Sequence, residues 1–440
     1  MKSTRRSALR NTLAAALSPW QAARADPDAF IQQVDAADRV YAYTIGLYQF
    51  HATRQAQLAL GMAPNVFRHA RELADARARR VTKPNHDTLY SAAWIRLDAG
   101  PLLLAIPASQ SRYFSLQLID AYTDNFAVRG TRADGGKARM LWLAGPRWRG
   151  AAPAATELVR APTDAVWALA RTYSAGGADS PAAWAMQDQL TIARSVRTPV
   201  VDWSATERQA LPAHDDFVAY FDAVGRLLVA HPPPVADPPL LADLRRIGIE
   251  ADRPADGFPV DPGALHLGGR RALLRLTQPR LPDDPHRSPY DARGRIALTG
   301  LAALPSSEAV YRTAVGLAAD GTHPLLSGEQ DYRIVFAAGA LPPVDAFWSV
   351  TLYDGIDPDR AFFYPNERGV YSLGLPASPL VFDAEGTLVI HVGHRQPPGV
   401  PDANWLPAPA GGFTLVYRGY LPRRPLLDGG YNWPPVRRIA

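Results

Sequence analysis

Cysteine is absent from all 440 residues. That excludes disulfides, thiolate zinc sites, iron–sulfur clusters and a cysteine nucleophile together. Lysine is almost absent too: only Lys2, Lys83 and Lys137 stand among 47 basic residues, the rest being arginine. No apolar run of about 18 residues occurs, so no helix is expected to span a membrane. No G-x-S-x-G elbow, H-E-x-x-H pair or phosphate-binding P-loop occurs either, which removes the commonest paired nucleophile, zinc and nucleotide signatures. What is present is a chain of 47% hydrophobic and 20% charged residues, the composition of globular domains with real cores.

The formal charge of +5 is concentrated at one end. Lys2, Arg5, Arg6, Arg10 and Arg24 lie within residues 1–25, which hold no acid, so the remainder is formally neutral. That balance gives no electrostatic footprint for nucleic acid, and no nucleic-acid partner is expected. The same residues read as an export signal. A basic start precedes the short apolar stretch Thr12 to Leu17, and Ala23-Arg24-Ala25 has the small-x-small form of a cleavage site. Thr4-Arg5-Arg6-Ser7-Ala8-Leu9-Arg10 looks like a twin-arginine signal, with Ala8 where a Phe is usual. An ordinary secretory signal is the other reading. Either implies a periplasmic or secreted protein.

Beyond residue 25, the spacing predicts a helix from about Ile31 to Met62, because Val34, Ala37, Tyr41, Ile45 and Tyr48 can share one stripe. A shorter helix is expected over Ala70 to Arg79. From Thr88 the pattern turns to short alternating runs. Strands are expected at Leu102–Pro107, Tyr113–Ile119, Met140–Ala144 and Val166–Ala170. Helical spacing returns over Pro181–Arg194, Asp215–Ala230, Pro239–Ile249 and Ser306–Leu317. The prolines Pro232, Pro233, Pro234, Pro238 and Pro239 punctuate that stretch. Strands follow at Tyr332–Phe336, Phe347–Tyr353, Leu388–Val392 and Phe413–Tyr417. Gly268-Gly269 and Gly411-Gly412 read as turn glycines. The fold class is therefore α+β, mainly β, with two β-rich domains over residues 26–180 and 321–440. A helical region over 181–320 connects them, and an N-terminal helical layer precedes the first.

An internal echo links the two β-rich parts. Tyr113-Phe114-Ser115-Leu116-Gln117-Leu118-Ile119-Asp120 matches Phe347-Trp348-Ser349-Val350-Thr351-Leu352-Tyr353-Asp354 in residue type. The two-residue period of a strand places Asp120 and Asp354 in line with the apolar faces. Pro84-Asn85 with Tyr90-Ser91 likewise matches Pro365-Asn366 with Tyr371-Ser372, but it precedes the strand in one half and follows it in the other. Simple tandem duplication does not give that order, so chance and permutation stay open.

These residues resemble a bacterial pair known only as domains of unknown function, DUF1254 and DUF1214. The N-terminal resemblance is carried by Pro84-Asn85, Asp87-Thr88-Leu89-Tyr90-Ser91, Leu118-Ile119-Asp120-Ala121-Tyr122-Thr123 and Gly130-Thr131-Arg132. The C-terminal one is carried by Leu341 through Ser349, Leu352-Tyr353-Asp354, Pro365-Asn366, Tyr371 through Gly374, and Asn404 through Pro409. Val370 departs from the basic residue that precedes the tyrosine in the family. The resemblance implies two β-sandwich or jelly-roll-like domains with added helices and no general catalytic mechanism.

The candidate chemistry is carboxylate and tyrosine chemistry. Asp87, Tyr90, Asp120 and Asp354 are the catalytic candidates: Asp120 and Asp354 form an acid/base pair if the domains face each other, or two turn caps if they do not. Asn85, Thr88, Tyr122, Asn125, Arg132, Trp348, Tyr353, Asn366, Asn404 and Trp405 are the ligand-binding candidates, supplying amides, hydroxyls, a planar guanidinium and stacking faces. The Asn85–Tyr90 cluster equally suits an Asx turn in which Asp87 and Thr88 satisfy local backbone donors, and Trp348 and Trp405 equally suit a core. His391 and His394, three residues apart on a strand, point to opposite faces, so no metal site and no cofactor is expected. The expected protein binds a small polar ligand (sugar-, polyol- or carboxylate-like) in a cleft between two β domains; whether it is an enzyme stays open, and if it is one, a metal-independent hydrolase or lyase is expected. The alternative is a non-catalytic binding or cell-envelope interaction protein.

Overall fold

The apolar stripe read from the sequence becomes α1 (Pro27–Leu58), in which Val34, Ala37, Tyr41, Ile45 and Tyr48 are all buried. The computed structural model describes residues 27–79, 82–194, 208–233, 237–249, 260–278, 288–318, 320–323, 325–355 and 361–439. The expected export signal and Pro234 lie outside the described residues. The chain divides into two compact units: residues up to Tyr43 with Pro212–Asp291, and Thr44–Leu211 with Ala292–Ala440.

Within the second unit, β1 (Arg68–His69), β2 (Thr88–Arg96), β3 (Leu102–Ile106), β4 (Phe114–Asp120) and β5 (Asn125–Gly130) lead into the short α2 (Thr131–Asp134). They are followed by β6 (Arg139–Ala144), β7 (Glu157–Arg160), β8 (Ala165–Tyr173), α3 (Ser180–Asp188) and β9 (Thr191–Arg194). One sheet has the order β1-β2-β8-β4-β5 and the other β7-β6-β3-β9. Phe114, Leu116, Leu118, Val166, Ala168 and Ala170 of the first sheet pack against Leu102, Leu104, Leu141 and Leu143 of the second. The two sheets thus form a sandwich. Each fully buried Leu or Phe contributes about 1.5–3 kcal/mol.

The first unit holds α4 (Phe217–Ala230), α5 (Pro238–Arg246) and α6 (Pro262–Thr277), capped at their starts by Asp216, Asp237 and Asp261. α7 (Asp291–Thr299) follows. The second unit then resumes with β10 (Ala309–Thr313), β11 (Gly316–Leu317), β12 (Tyr332–Phe336), β13 (Val344–Asp354) and β14 (Ser372–Leu375). β15 (Leu388–Gly393), β16 (Trp405–Pro407), β17 (Phe413–Pro422), α8 (Arg424–Leu427) and β18 (Val436–Arg438) complete it. Their sheets run β10-β17-β13-β14 and β11-β18-β12-β15-β16 around a core of Trp348, Val350, Leu352, Ile334 and Ile390.

Apart from the edge strands β1 and β11, the two sandwiches have one topology. β2-β8-β4-β5 corresponds to β10-β17-β13-β14, and β7-β6-β3-β9 to β16-β15-β12-β18. The parallel pair β6 with β7 has its counterpart at the same place in β15 with β16, and the added edge strand β11 makes a second parallel pair, with β18. The two strands of the sequence echo, β4 and β13, are equivalent. The Pro-Asn echo is not: Tyr90-Ser91 lies on β2, whereas Tyr371-Ser372 leads into β14, across the sheet. The order that spoke against tandem duplication therefore came from a non-equivalent match.

Four local expectations are corrected. Ala70–Arg79 forms no helix; Asp75 accepts from the Arg77 backbone and side chain, a local bonding that competes with the helical ladder. Pro181–Arg194 is helical only to Asp188, and Thr191–Arg194 pairs with β3. Ser306–Leu317 holds β10 and β11, in keeping with its Val310, Tyr311 and Thr313. Gly268 and Gly269 lie inside α6, not in a turn. A Cβ on Gly268 would lie 2.4 Å from the Val34 carbonyl, and one on Gly269 2.3 Å from the Phe217 ring.

Candidate functional site

The pleat sends one face of each four-strand set into its own core and leaves the other for the opposite sandwich. On β2, β8, β4 and β5, Tyr90, Arg171, Ser115 and Gly130 lie side by side in one cross-strand row. On β10, β17, β13 and β14 the equivalent row is Tyr311, Arg418, Ser349 and Gly374. The same four residue types recur in the same order. Arg171 donates to Gln117 Oε1 and, at 3.0 Å, to the Ala302 carbonyl, with its guanidinium 5.1 Å above the Tyr90 ring. Arg418 donates to Thr351 Oγ1 at 2.7 Å, Tyr353 Oη at 2.5 Å and the Lys83 carbonyl at 3.1 Å, while its buried Nε has no partner.

Both guanidiniums are buried. Burial alone would lower their pKa values. Both are nonetheless raised, with Tyr90, Tyr311 and Tyr420 the next influences on Arg171 after burial, and Tyr353, Tyr420 and Asp87 on Arg418. Burial raises Tyr420 and Tyr113 well above the usual phenol value and Tyr353 to about 12, so these hydroxyls stay protonated and serve as hydrogen-bonding groups.

Asp87 stands just before β2. Its Oδ2 accepts from Ser349 Oγ at 2.8 Å and its Oδ1 from Ser372 Oγ at 3.2 Å, both on the other sandwich. Asn85 orients it: Asn85 Oδ1 accepts from the backbone N–H groups of Asp87 and Thr88 at 2.6 and 3.1 Å, and Asn85 Nδ2 donates to Tyr420 Oη at 2.5 Å. An Asx turn is therefore present, with Asn85 as its acceptor in place of the expected Asp87 and Thr88, and the same turn faces a cleft of about 120 Å³. Asp87, Tyr173, Ser349, Ser372 and Ser378 give that cleft its polar groups; Leu73, Phe347, Trp348 and Leu375 give it an apolar wall. The Tyr173 hydroxyl has no hydrogen-bond partner, and burial, with the charge of Asp87 next, raises its pKa. A carboxylate has about four lone-pair directions, so two serines leave Asp87 room to accept more.

Glu308 stands just before β10, as Asp87 does before β2. It accepts from Tyr113 Oη at 3.2 Å and from Arg132 Nε at 2.6 Å, both on the first sandwich. Burial raises its pKa, opposed by Arg132 and Arg171. The contacts are thus reciprocal, as in an isologous interface between two copies. Sequence reasoning missed Arg171, Arg418, Glu308, Ser349 and Ser372 as site residues. The signal that could have found them is the strand echo continued into its paired strands.

The other expected residues take partners of their own, some local and some distant in sequence. Asp120 accepts from the Tyr122 and Asp124 backbone at 2.9 and 3.0 Å, and burial raises its pKa to about 6. Asp354 accepts from the Phe362 backbone at 3.2 Å and pairs with Arg79 at 3.4 Å. No hydrogen bond joins the two acids, and each caps its own turn. Tyr122 is buried, and Asn125 bonds Gln117 and the Ala303 carbonyl. Asn366 bonds the Tyr364 and Val370 carbonyls, and Asn404 those of Val381 and Val389. Trp405 donates to the Gly393 carbonyl beneath Arg368. Tyr353 donates to the Pro84 carbonyl at 2.7 Å. Trp348 fills the second core and edges the cleft. Among the described residues no group of three or more His, Asp or Glu could hold a metal ion. A larger cleft, about 210 Å³, is lined by Arg312, Tyr417 and Trp433 without a carboxylate, and the Tyr417 hydroxyl there is already bonded to Pro434. The Asp87 cleft is the one with convergent polar chemistry.

Against known proteins, residues 64–194 match the family described as "Protein of unknown function (DUF1254)" and residues 308–424 the family described as "Protein of unknown function (DUF1214)". The VPA0106 protein from Vibrio parahaemolyticus is similar in fold: TM-score 0.70 at 22% identity, covering 93% of this chain and 100% of that one. An uncharacterised protein from Burkholderia cenocepacia aligns at TM-score 0.41 and 14% identity over 94% of each chain. No curated protein sequence matches. The chain belongs to the two-domain DUF1254/DUF1214 family.

Proposed function

We propose that this is a small-ligand-binding protein whose ligand enters the cleft between the two sandwiches and donates hydrogen bonds to Asp87. The observation that carries the reading is the orientation of Asp87: a carboxylate with both oxygens steadied by Ser349 and Ser372 that lines a cleft of about 120 Å³. A volume of that size takes a small molecule or one end of a larger one. Binding is favoured over hydrolysis because both serine hydroxyls are spent on Asp87, and His86, the imidazole lining the cleft, directs Nδ1 at the Ala74 carbonyl 2.6 Å away. The base each serine meets is the Asp87 carboxylate, and among the described residues no imidazole bonds either hydroxyl to activate it. The basic leader, read as an export signal, adds that binding takes place in the periplasm or outside the cell.

A thermal-shift screen of small polyols and amines on the full chain, repeated on Asp87→Asn, tests this. Compounds that raise the melting temperature of the parent and not of the variant are the expected result. A hit that stabilises both equally, or turnover of a hit compound by the parent, overturns the reading.

A further inference from the structure

The two halves are not identical at their twin acids, and the difference says what the open cleft accepts. In the first sandwich β5 ends at Gly130 and continues through Arg132 to Asp134, whose Oδ2 accepts from the Gly130 N–H at 2.8 Å. In the second, β14 continues from Gly374 through Pro376 to Ser378, whose Oγ accepts from the Gly374 N–H at 3.1 Å. The two segments follow equivalent strands, and in each the N–H of the first residue is bonded by the side chain of the fifth, although the first segment is helical and the second holds a cis Leu375–Pro376 bond. Arg132 therefore corresponds to Pro376. Arg132 reaches across to Glu308; Pro376 has nothing that can reach Asp87, and the cleft opens there, lined by Gly374, Leu375, Ala377 and Ser378. What fills the site in one half is absent in the other.

We infer that the Asp87 cleft accepts a cationic amino or guanidino group, supplied by the ligand in place of the side chain that Arg132 supplies to Glu308. Charge balance supports this class over a neutral hydroxyl. Glu308 feels the buried Arg171 of the opposite sandwich and still takes a second cation, and Asp87 likewise faces the buried Arg418. Leu73, Phe347 and Leu375 offer an apolar wall for the carbon body behind such a group. The inference rests on the binding reading of the same cleft and narrows it to one chemical class.

Titration calorimetry with n-butylguanidinium and n-butylamine, against glycerol and erythritol, tests it on the full chain. The cationic probes are expected to bind once per chain, and Pro376→Arg to weaken them by at least about tenfold by placing its own guanidinium on Asp87. Polyol binding that needs Asp87 while the cations fail overturns this inference and leaves the binding reading standing; failure of every probe on the parent sinks both. Because Pro376→Arg can misfold, Arg132→Ala provides a second arm. That variant leaves Glu308 buried without its cation, and methylguanidinium is expected to restore its melting temperature while moving the parent's less. Rescue by glycerol at equal concentration, or no rescue, counts against the cationic class.

Discussion

Asp87 and Glu308 hold the same position in two copies of one eight-stranded sandwich, each three residues before the tyrosine of its row and each bonded to the opposite copy. The interface between the copies is a polar layer built around two buried arginines, with aromatic contacts at its side. Phe347 stacks on Tyr420 at 4.1 Å between ring centres, and Tyr113 meets both edge-on. Buried polar layers specify one arrangement only when every member is satisfied. That makes their removal informative.

Arg171→Met is expected to destabilise the chain by about 2–4 kcal/mol, because Gln117 Oε1 and the Ala302 carbonyl lose their buried donor. Arg171→Lys should recover little, since one ammonium cannot reproduce the planar fork. Chemical denaturation of both variants measures this. A loss below about 0.5 kcal/mol for the methionine variant means that the arginine is dispensable to the interface.

Gly130→Ala and Gly374→Ala test whether the row is a repeated device. A Cβ at these positions would lie 2.2 Å from the Phe114 carbonyl oxygen and 2.0 Å from the Trp348 carbonyl oxygen, both rigid backbone. Gly130 also has φ of +121°, which side chains rarely adopt. Each substitution should lower stability by about 2–4 kcal/mol, and Gly130→Ala should be the worse of the two. The reverse order in unfolding experiments contradicts the backbone argument.

Asp120 gives a pH signature. Its folded pKa of about 6 lies above the ordinary 3.8, mainly through burial. The neutral carboxyl is therefore the form that folding favours: its contribution is complete below about pH 4 and lost as pH rises through 6. The full difference is about 3 kcal/mol. Asp120→Asn keeps an oxygen for the Tyr122 and Asp124 N–H groups without the charge, so its stability relative to the parent should rise between pH 4 and pH 8. A flat difference across that range shows that the carboxyl is not desolvated.

Strand positions were legible where alternation was strong. The expected Tyr113–Ile119 lies in a strand from Phe114 on, and Phe347–Tyr353 and Leu388–Val392 lie in strands throughout, because one face of each had to be buried. The α1 stripe was legible for the same reason. The site was half legible: Asn85, Asp87 and Thr88 stood out as a dense polar turn, and Arg132 as a planar fork. Their partners did not, because Ser349 and Ser372 meet Asp87, and Glu308 meets Arg132, only through contacts between distant parts of the chain. Arg171 sits in Trp167-Ala168-Leu169-Ala170-Arg171, where nothing local says that the last side chain turns toward a second sandwich. Asp120 and Asp354 were misleading for the converse reason. Equivalent places in two repeats make them look paired, while Asp120 bonds the Tyr122 and Asp124 backbone and Asp354 the Phe362 backbone and Arg79.

Gly268→Ala separates packing from propensity in the helical unit. In an exposed helix interior the change gains about 1 kcal/mol, since alanine loses less backbone entropy. Gly268 lies inside α6 against α1, where the added methyl would sit 2.4 Å from the Val34 carbonyl oxygen and 2.7 Å from the Ala37 Cβ. The helices would have to separate where Arg271 bonds Asp38 at 2.6 Å and Arg275 bonds both Asp38 and Asp291. Overpacking of that kind costs about 1–3 kcal/mol, which outweighs the propensity gain. Gly300→Ala is the control: its Cβ would meet only the Ala303 Cβ, at 3.9 Å. Calorimetric melting should show Gly268→Ala lowered and Gly300→Ala within about 0.5 kcal/mol of the parent. A stabilised Gly268→Ala would mean that α6 does not rest on α1 at this residue.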